Sequence, residues 1–172
     1  MTPTGHRRLI LTRHAKSAWD DPTLSDEARP LNERGRRSAR EIGDWLASRG
    51  YDPEEVLCST AARTVETWER AAEAVFETLP KLRKEAGLYQ ASPEQMLAVL
   101  RTATAPTVMM IGHNPAIGEL AAMLPARPPM SADFRSYPTG ATLVVDFDVP
   151  EWSQVQPGLG DVRDFVRLDG RS

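Results

Sequence analysis

Arg8-Leu9-Ile10-Leu11-Thr12-Arg13-His14 is a short apolar run that ends abruptly on two polar residues. A bounded run of this length reads as a buried strand, which places Arg13 and His14 at its C-terminal end. The pattern returns later in the chain as Thr107-Val108-Met109-Met110-Ile111 followed by Gly112-His113-Asn114-Pro115. Two strands are therefore each expected to deliver a histidine at their carboxyl ends.

Working outward, Ala39, Ile42 and Leu46 fall at helical spacing between Leu31-Asn32 and Gly50. A helix is predicted over Glu33 to Arg49, with Gly50 closing it. Glu55 to Cys58 reads as a second strand, and Ser59 is placed to cap a helix whose apolar stripe runs Val65, Trp68, Ala72, Val75 and Phe76. Arg63 then falls in that helix's first turn. Leu79 to Leu82 is expected to be a third strand, and Ser92-Pro93-Glu94-Gln95 has the spacing of a capping box with proline at the first helical position. That helix should reach about Arg101, and another should run from Pro115 through Leu124. Ala141 to Phe147 and Val162 to Leu168 carry β-branched and aromatic residues at near-alternate positions, as late strands at a sheet edge do, an antiparallel arrangement being open to them. Pro125 to Pro138, with four prolines, reads as a surface loop. Strand and helix alternating in this way predict a three-layer α/β/α sandwich on a mostly parallel central sheet.

The 172 residues fit a single domain, with residues 1–7 expected to form a flexible tail. Hydrophobic residues at 41% and interspersed charges at 26% are the composition of a globular protein that folds unaided. A net charge of -3 argues against nucleic acid or anionic lipid as a partner held by bulk electrostatics, so basic residues must be read locally. No apolar stretch reaches signal-peptide or membrane-spanning length, and the single cysteine, Cys58, allows no internal disulfide. A cytoplasmic location is expected on both grounds, with Cys58 a core residue.

In a doubly wound sheet, ligands bind beyond the carboxyl ends of the strands. Arg13-His14, Ser59 through Arg63, and Gly112-His113 all follow predicted strands, so three segments can converge on one crevice. Guanidinium forks match phosphate oxygens bidentately, imidazolium adds a charge-assisted bond, and a neutral imidazole can attack phosphorus. Two arginines and two histidines thus suit a phosphatase working through a covalent phosphohistidine. Arg63 at a helix start opposes the helix dipole, which hints at an anion opposite it.

Leu11-Thr12-Arg13-His14-Ala15-Lys16-Ser17 resembles the Arg-His signature of the histidine phosphatase superfamily, which includes the cofactor-dependent phosphoglycerate mutases. Arg29-Pro30-Leu31-Asn32-Glu33-Arg34-Gly35, Ser59-Thr60-Ala61-Ala62-Arg63-Thr64 and Gly112-His113-Asn114-Pro115 are similar to the remaining blocks of its SixA-like branch, the phosphohistidine phosphatases, in the same order. The resemblance implies that His14 is phosphorylated, that Arg13 and Arg63 bind the phosphoryl oxygens, and that His113 stabilises the transferring group. It implies no metal and no cofactor. Where mutase-like members carry an asparagine that touches phosphate, this chain has Asp20, which is expected to turn away. Ser17 is the candidate for a hydroxyl contact instead, with a purely structural role as the alternative.

Members acting on esters carry an acidic residue between the second arginine and the second histidine, and Glu85 is the candidate general acid here, a solvated surface glutamate being the alternative. A phosphoramidate makes smaller demands on such an acid, because its P–N bond is labile and its nitrogen protonates readily. About 50 residues separate Arg63 from His113, little more than the predicted elements use, which leaves little to build a lid. An open crevice suits a phosphohistidine on a protein partner, and the loop carrying Arg127, Met130, Phe134 and Arg135 is a candidate docking rim. A sugar-phosphate or nucleotide-derived metabolite is the alternative substrate, and a phosphoprotein-binding module without turnover is the alternative of a different class. The histidines lack the spacing of a metal site.

Overall fold

The computed structural model describes residues 5–73 and 78–171. Its strands are β1 (Arg7–Arg13), β2 (Glu55–Ser59), β3 (Lys81–Glu85), β4 (Thr107–Gly112), β5 (Ala141–Phe147) and β6 (Asp161–Arg167). Its helices are α1 (Glu33–Arg49), α2 (Ala62–Ala72), α3 (Pro93–Leu100), α4 (Ala116–Met123) and α5 (Ala132–Ser136). The strands form one sheet in the order β3-β2-β4-β1-β5-β6, parallel from β3 to β1, with β5 antiparallel to both of its neighbours. This is the mixed α/β fold with a mostly parallel sheet that the element order predicts.

The apolar runs are continuous because both faces of the sheet are covered. On one face Leu9, Leu11, Leu57, Val108 and Met110 pack with Met96 and Leu100 of α3 and with Ile117 and Leu120 of α4. On the other, Ile10, Val56, Cys58, Met109 and Ile111 pack with Ile42 and Leu46 of α1 and Trp68 of α2. Successive strand residues alternate between the two cores.

Local signals set the helix ends. The Asn32 side chain accepts the Gly35 N–H at 2.8 Å, and Gly50 ends α1 in the left-handed region at φ 72°. Ser92 and Gln95 form both halves of the expected capping box on α3. At α2 the expectation is corrected. Its N-cap position is Ala61, and the Ser59 hydroxyl lies instead against Ala61 N–H and the His113 ring. Val75 and Phe76 of the expected stripe lie outside the described residues.

Three other expectations shift. Arg7, expected in the tail, is the first residue of β1 and pairs with Phe147. The third strand starts at Lys81 and runs on to Glu85, because its bounds follow register with β2, Glu55↔Lys81 through Ser59↔Glu85, and not its own sparse apolar pattern. The Pro125 to Pro138 segment carries α5, capped by Ser131, and buries Phe134 and Tyr137. The fully buried Tyr137 hydroxyl donates to the Leu11 carbonyl of β1, so the segment is anchored to the core at Phe134 and Tyr137, and Phe134 is not on any rim, while Arg127, Met130 and Arg135 stay exposed as a surface loop requires. No helix among the described residues is long and apolar enough to cross a membrane.

Helices α1 and α2 cross where Gly43 lies against the Ala71 carbonyl, and a Cβ on Gly43 would collide with that oxygen. Gly43→Ala should therefore cost about 1–3 kcal/mol, since backbone has to move. A urea titration should show the lower midpoint with an unchanged slope. An unchanged midpoint would mean that the helix pair can separate freely.

Candidate active site

The pairing of β1 with β4 builds the centre of the site. These strands run in parallel with Arg13 opposite Gly112, and the His14 N–H extends the ladder by donating to the Gly112 carbonyl at 3.1 Å. The next residues on the two strands, His14 and His113, therefore stand side by side, with ring centroids 5.2 Å apart and planes at 54°. The connection leaving β1 runs over one face of the sheet to β2, and the one leaving β4 runs over the other face to β5. The two histidines thus mark a topological switch point, where such sheets bind ligands. Arg63 arrives from the far side of β4, in the first turn of the helix that follows β2.

Arg13, His14, Arg63 and His113 line one cleft of about 300 Å³ together with Lys16, Ser17, Trp19, Arg29, Asn114 and Thr139. Four of these residues are cationic and none is a carboxylate, in a chain whose net charge is -3. Basic residues are concentrated here against the overall balance, as an anion site requires.

The environment holds each group in a defined state. The His14 ring is 5% exposed, and its Nδ1–H donates to the Ala15 carbonyl at 2.7 Å, which leaves the Nε2 lone pair free. Burial pulls its pKa down to about 3, with His113, Arg13 and Arg63 adding to the shift. His113 is lowered to about 4, again chiefly by burial and then by Arg63. Its Nε2 meets the Ser59 hydroxyl at 2.8 Å. Arg13 is lowered from the ordinary guanidinium value by burial and by Arg63, and its Nη1 donates to the Tyr137 carbonyl at 3.2 Å. The Nε atoms of Arg13 and Arg63 are buried without a hydrogen-bond partner. Both guanidinium groups therefore hold donor capacity in reserve.

Arg63 is anchored by Asp26: Nη1 donates to the Asp26 carbonyl at 2.7 Å and Nη2 to its Oδ2 at 3.1 Å. The same carboxylate accepts from the Tyr89 hydroxyl at 2.6 Å and from Arg29 Nη2 at 3.1 Å. The Tyr89 bond, then those from Arg29 and Arg63, hold Asp26 well below the usual carboxylate range. It is a half-exposed, fixed anion beside the cationic wall, not a proton donor.

Of the residues expected from sequence, Arg13, His14, Ser17, Arg63 and His113 come together at the cleft. Ser17 accepts a hydrogen bond from Arg29 Nη1, so it seats a cleft arginine. Asp20 is exposed and does not line the cleft. Glu85 does not join it either: at the end of β3 its carboxylate accepts from Arg83 Nη2 at 2.6 Å. Arg83 is two residues back on the same strand face, so it claims the glutamate first. Sequence reasoning assigned no role to Asp26 or Arg29. Arg29 stood inside a quoted block, while Asp26 lies in a stretch without periodicity and gave no signal beyond its charge. Among the described residues no group of three or more His, Cys, Asp or Glu is placed to hold a metal ion.

Comparison with known proteins identifies the family. Residues 9–98 match the model of the histidine phosphatase superfamily, branch 1. The chain is 31% identical to the phosphohistidine phosphatase SixA of Escherichia coli over 124 residues, 68% of this chain and 73% of that one. A structure from Nakamurella multipartitia, provisionally assigned as phosphohistidine phosphatase SixA, superposes with a TM-score of 0.80 at 27% identity, covering 96% of this chain and 98% of that one. An uncharacterised chloroplastic protein of Arabidopsis thaliana is 35% identical over 128 residues, 69% of this chain, which spans only 59% of the plant protein's length. The chain belongs to the histidine phosphatase superfamily, branch 1, and is a phosphatase of its histidine-nucleophile, SixA-like kind.

Proposed function

We propose that the protein hydrolyses phosphohistidine on a protein partner, without a metal, through a phosphoryl group carried on His14. The observation that carries this reading is the pinned His14 ring: neutral, buried among cations, its Nδ1 proton committed to Ala15 and its Nε2 lone pair available. In the first step Nε2 attacks phosphorus, the bond from phosphorus to the substrate nitrogen breaks, and the leaving imidazole takes up a proton. In the second, water attacks the phosphoryl group on His14, the P–Nε2 bond breaks, and inorganic phosphate leaves. Arg13, Arg63 and His113 hold the phosphoryl oxygens throughout, where fixed donors in a desolvated site act most strongly.

Two features favour a phosphoramidate over an ester. Transfer from one imidazole nitrogen to another is close to balanced, whereas an ester's leaving oxygen needs an acid. The carboxylate nearest Arg63 is Asp26, held as an anion by its three donors, and Glu85 is occupied by Arg83. Access also fits a protein-borne substrate. Among the described residues, the segment between α2 and β4 is taken up by β3, a single 3-10 turn and α3, which leaves no long excursion to fold over the cleft.

With a phosphohistidine-bearing protein and an aryl phosphate as substrates in EDTA, wild type should turn over both and prefer the phosphoramidate. His14→Ala should lose at least about a thousandfold in rate and form no phosphoenzyme that survives an alkaline quench and is lost in acid. Preference for the ester would move the reading to a metabolite phosphatase, and absence of turnover on both to a binding module. Arg63→Ala should lose about 10²–10³-fold in kcat and weaken inhibition by vanadate.

Both imidazoles titrate near 3 and 4, far below the ordinary value, so lowering the pH adds their protons only well below neutrality. The His14 and His113 ring resonances, assigned from His14→Gln and His113→Gln, should stay constant between about pH 5.5 and 8. A midpoint near 6.5 for His14 would show a nucleophile that is half protonated in the free protein.

A further inference from the structure

Trp19 sits at the edge of the cleft and is 78% exposed, the wrong place for a large apolar ring to be explained by the core. One face of its indole is not free: the Arg29 guanidinium lies over it, 3.6 Å from the ring centroid. Arg29 itself is held firmly, with Nη1 donating to the Ser17 hydroxyl and the Ala18 carbonyl and Nη2 to Asp26. Its side chain is only 10% exposed. A guanidinium fixed at these points is a rigid seat, and stacking on it restricts the orientation of the ring. The indole is therefore a pre-set platform with its second face open.

What that face meets follows from the direction of the chemistry. The phosphoryl group belongs on the cationic lining, against Arg13, Arg63 and His113. In-line displacement by His14 sends the leaving group away from that buried ring, and Trp19 is the strongly exposed ring among the residues that line the cleft. The cleft, at about 300 Å³, has room for more than a phosphoryl group. A flat, electron-rich surface at that place selects a flat leaving group, because offset stacking of rings is worth more than contact with an aliphatic chain of the same size.

We propose that Trp19 is a specificity-determining residue that stacks on a planar leaving group, the imidazole ring of phosphohistidine. The identity of that ring rests on the function proposed above; the preference for a planar group rests on Trp19 and Arg29 alone. A ring that served only to cover Arg29 would affect all substrates alike, which separates the two roles.

The test compares leaving groups across one bond type. With the full chain, kcat/KM is measured for N-phosphoimidazole and for phosphoramidate, whose leaving groups are imidazole and ammonia. The ratio of the two should fall about tenfold in Trp19→Ala and return in Trp19→Phe, which keeps a stacking face. A second pair, an aryl phosphate against glycerol phosphate, reads the same ratio across a P–O bond. If wild type cleaves only the esters, the phosphohistidine reading fails while the aryl-to-glycerol ratio still decides the role of Trp19. Ratios unchanged in Trp19→Ala, with or without a general loss of rate, overturn the proposal.

Discussion

Parallel pairing of β1 with β4 is the constraint on which the site depends. Each strand is a run of apolar residues buried on both faces, so neither can slip by one residue without turning its side chains toward the wrong core. The register that satisfies both cores sets Arg13 opposite Gly112, and the residues after them have no choice but to be neighbours. Two histidines from opposite halves of the chain are brought within one ring's width of each other by hydrogen bonds that neither histidine's side chain makes. Packing of the interior and placement of the reacting groups are one arrangement here.

The cleft then collects like charges, and that has to be offset. Arg13, Lys16, Arg29 and Arg63 share a small volume, and the mutual effect is visible in Arg13, whose pKa is lowered by burial and by Arg63. The chain answers with backbone carbonyls of Ala18, Asp26 and Tyr137 and with one carboxylate, Asp26, paired with Arg29 and Arg63. Such partners fix the guanidinium groups while leaving donors uncommitted, so little reorganisation is needed when a dianion arrives. The same burial that keeps both imidazoles neutral strengthens every interaction with that dianion.

Much of this was legible in the sequence because it was carried by periodicity. The apolar runs of β1 and β4, the stripe of α1 with Asn32 and Gly50 at its ends, and the capping box of α3 are local patterns with local causes. Arg13, His14, Arg63 and His113 could be grouped because each follows a strand or opens the next helix, and strand ends share one edge of a parallel sheet. What escaped depended on contacts between distant residues. The bounds of β3 come from its partner strand, and α5 is stabilised by burying Phe134 and Tyr137 against elements far off in sequence. Asp26 lies in an irregular segment, and only the folded chain reveals that its carboxylate meets Arg29, Arg63 and Tyr89. The same holds for Glu85, whose pairing with Arg83 requires knowing which strand face both occupy.

Cys58 points into the core between the sheet and helices α1 and α2, fully buried, its thiol pushed up to about 12 by desolvation. Sulfur oxidation begins from the thiolate, and at any physiological pH this residue has almost none. The cleft itself is assembled from imidazole, guanidinium, ammonium, hydroxyl, amide and indole groups. Phosphatases that rely on a low-pKa cysteine are silenced by peroxide, whereas this chain keeps its one thiol in the core and outside the cleft. On the mechanism proposed for His14, turnover is thereby uncoupled from thiol oxidation.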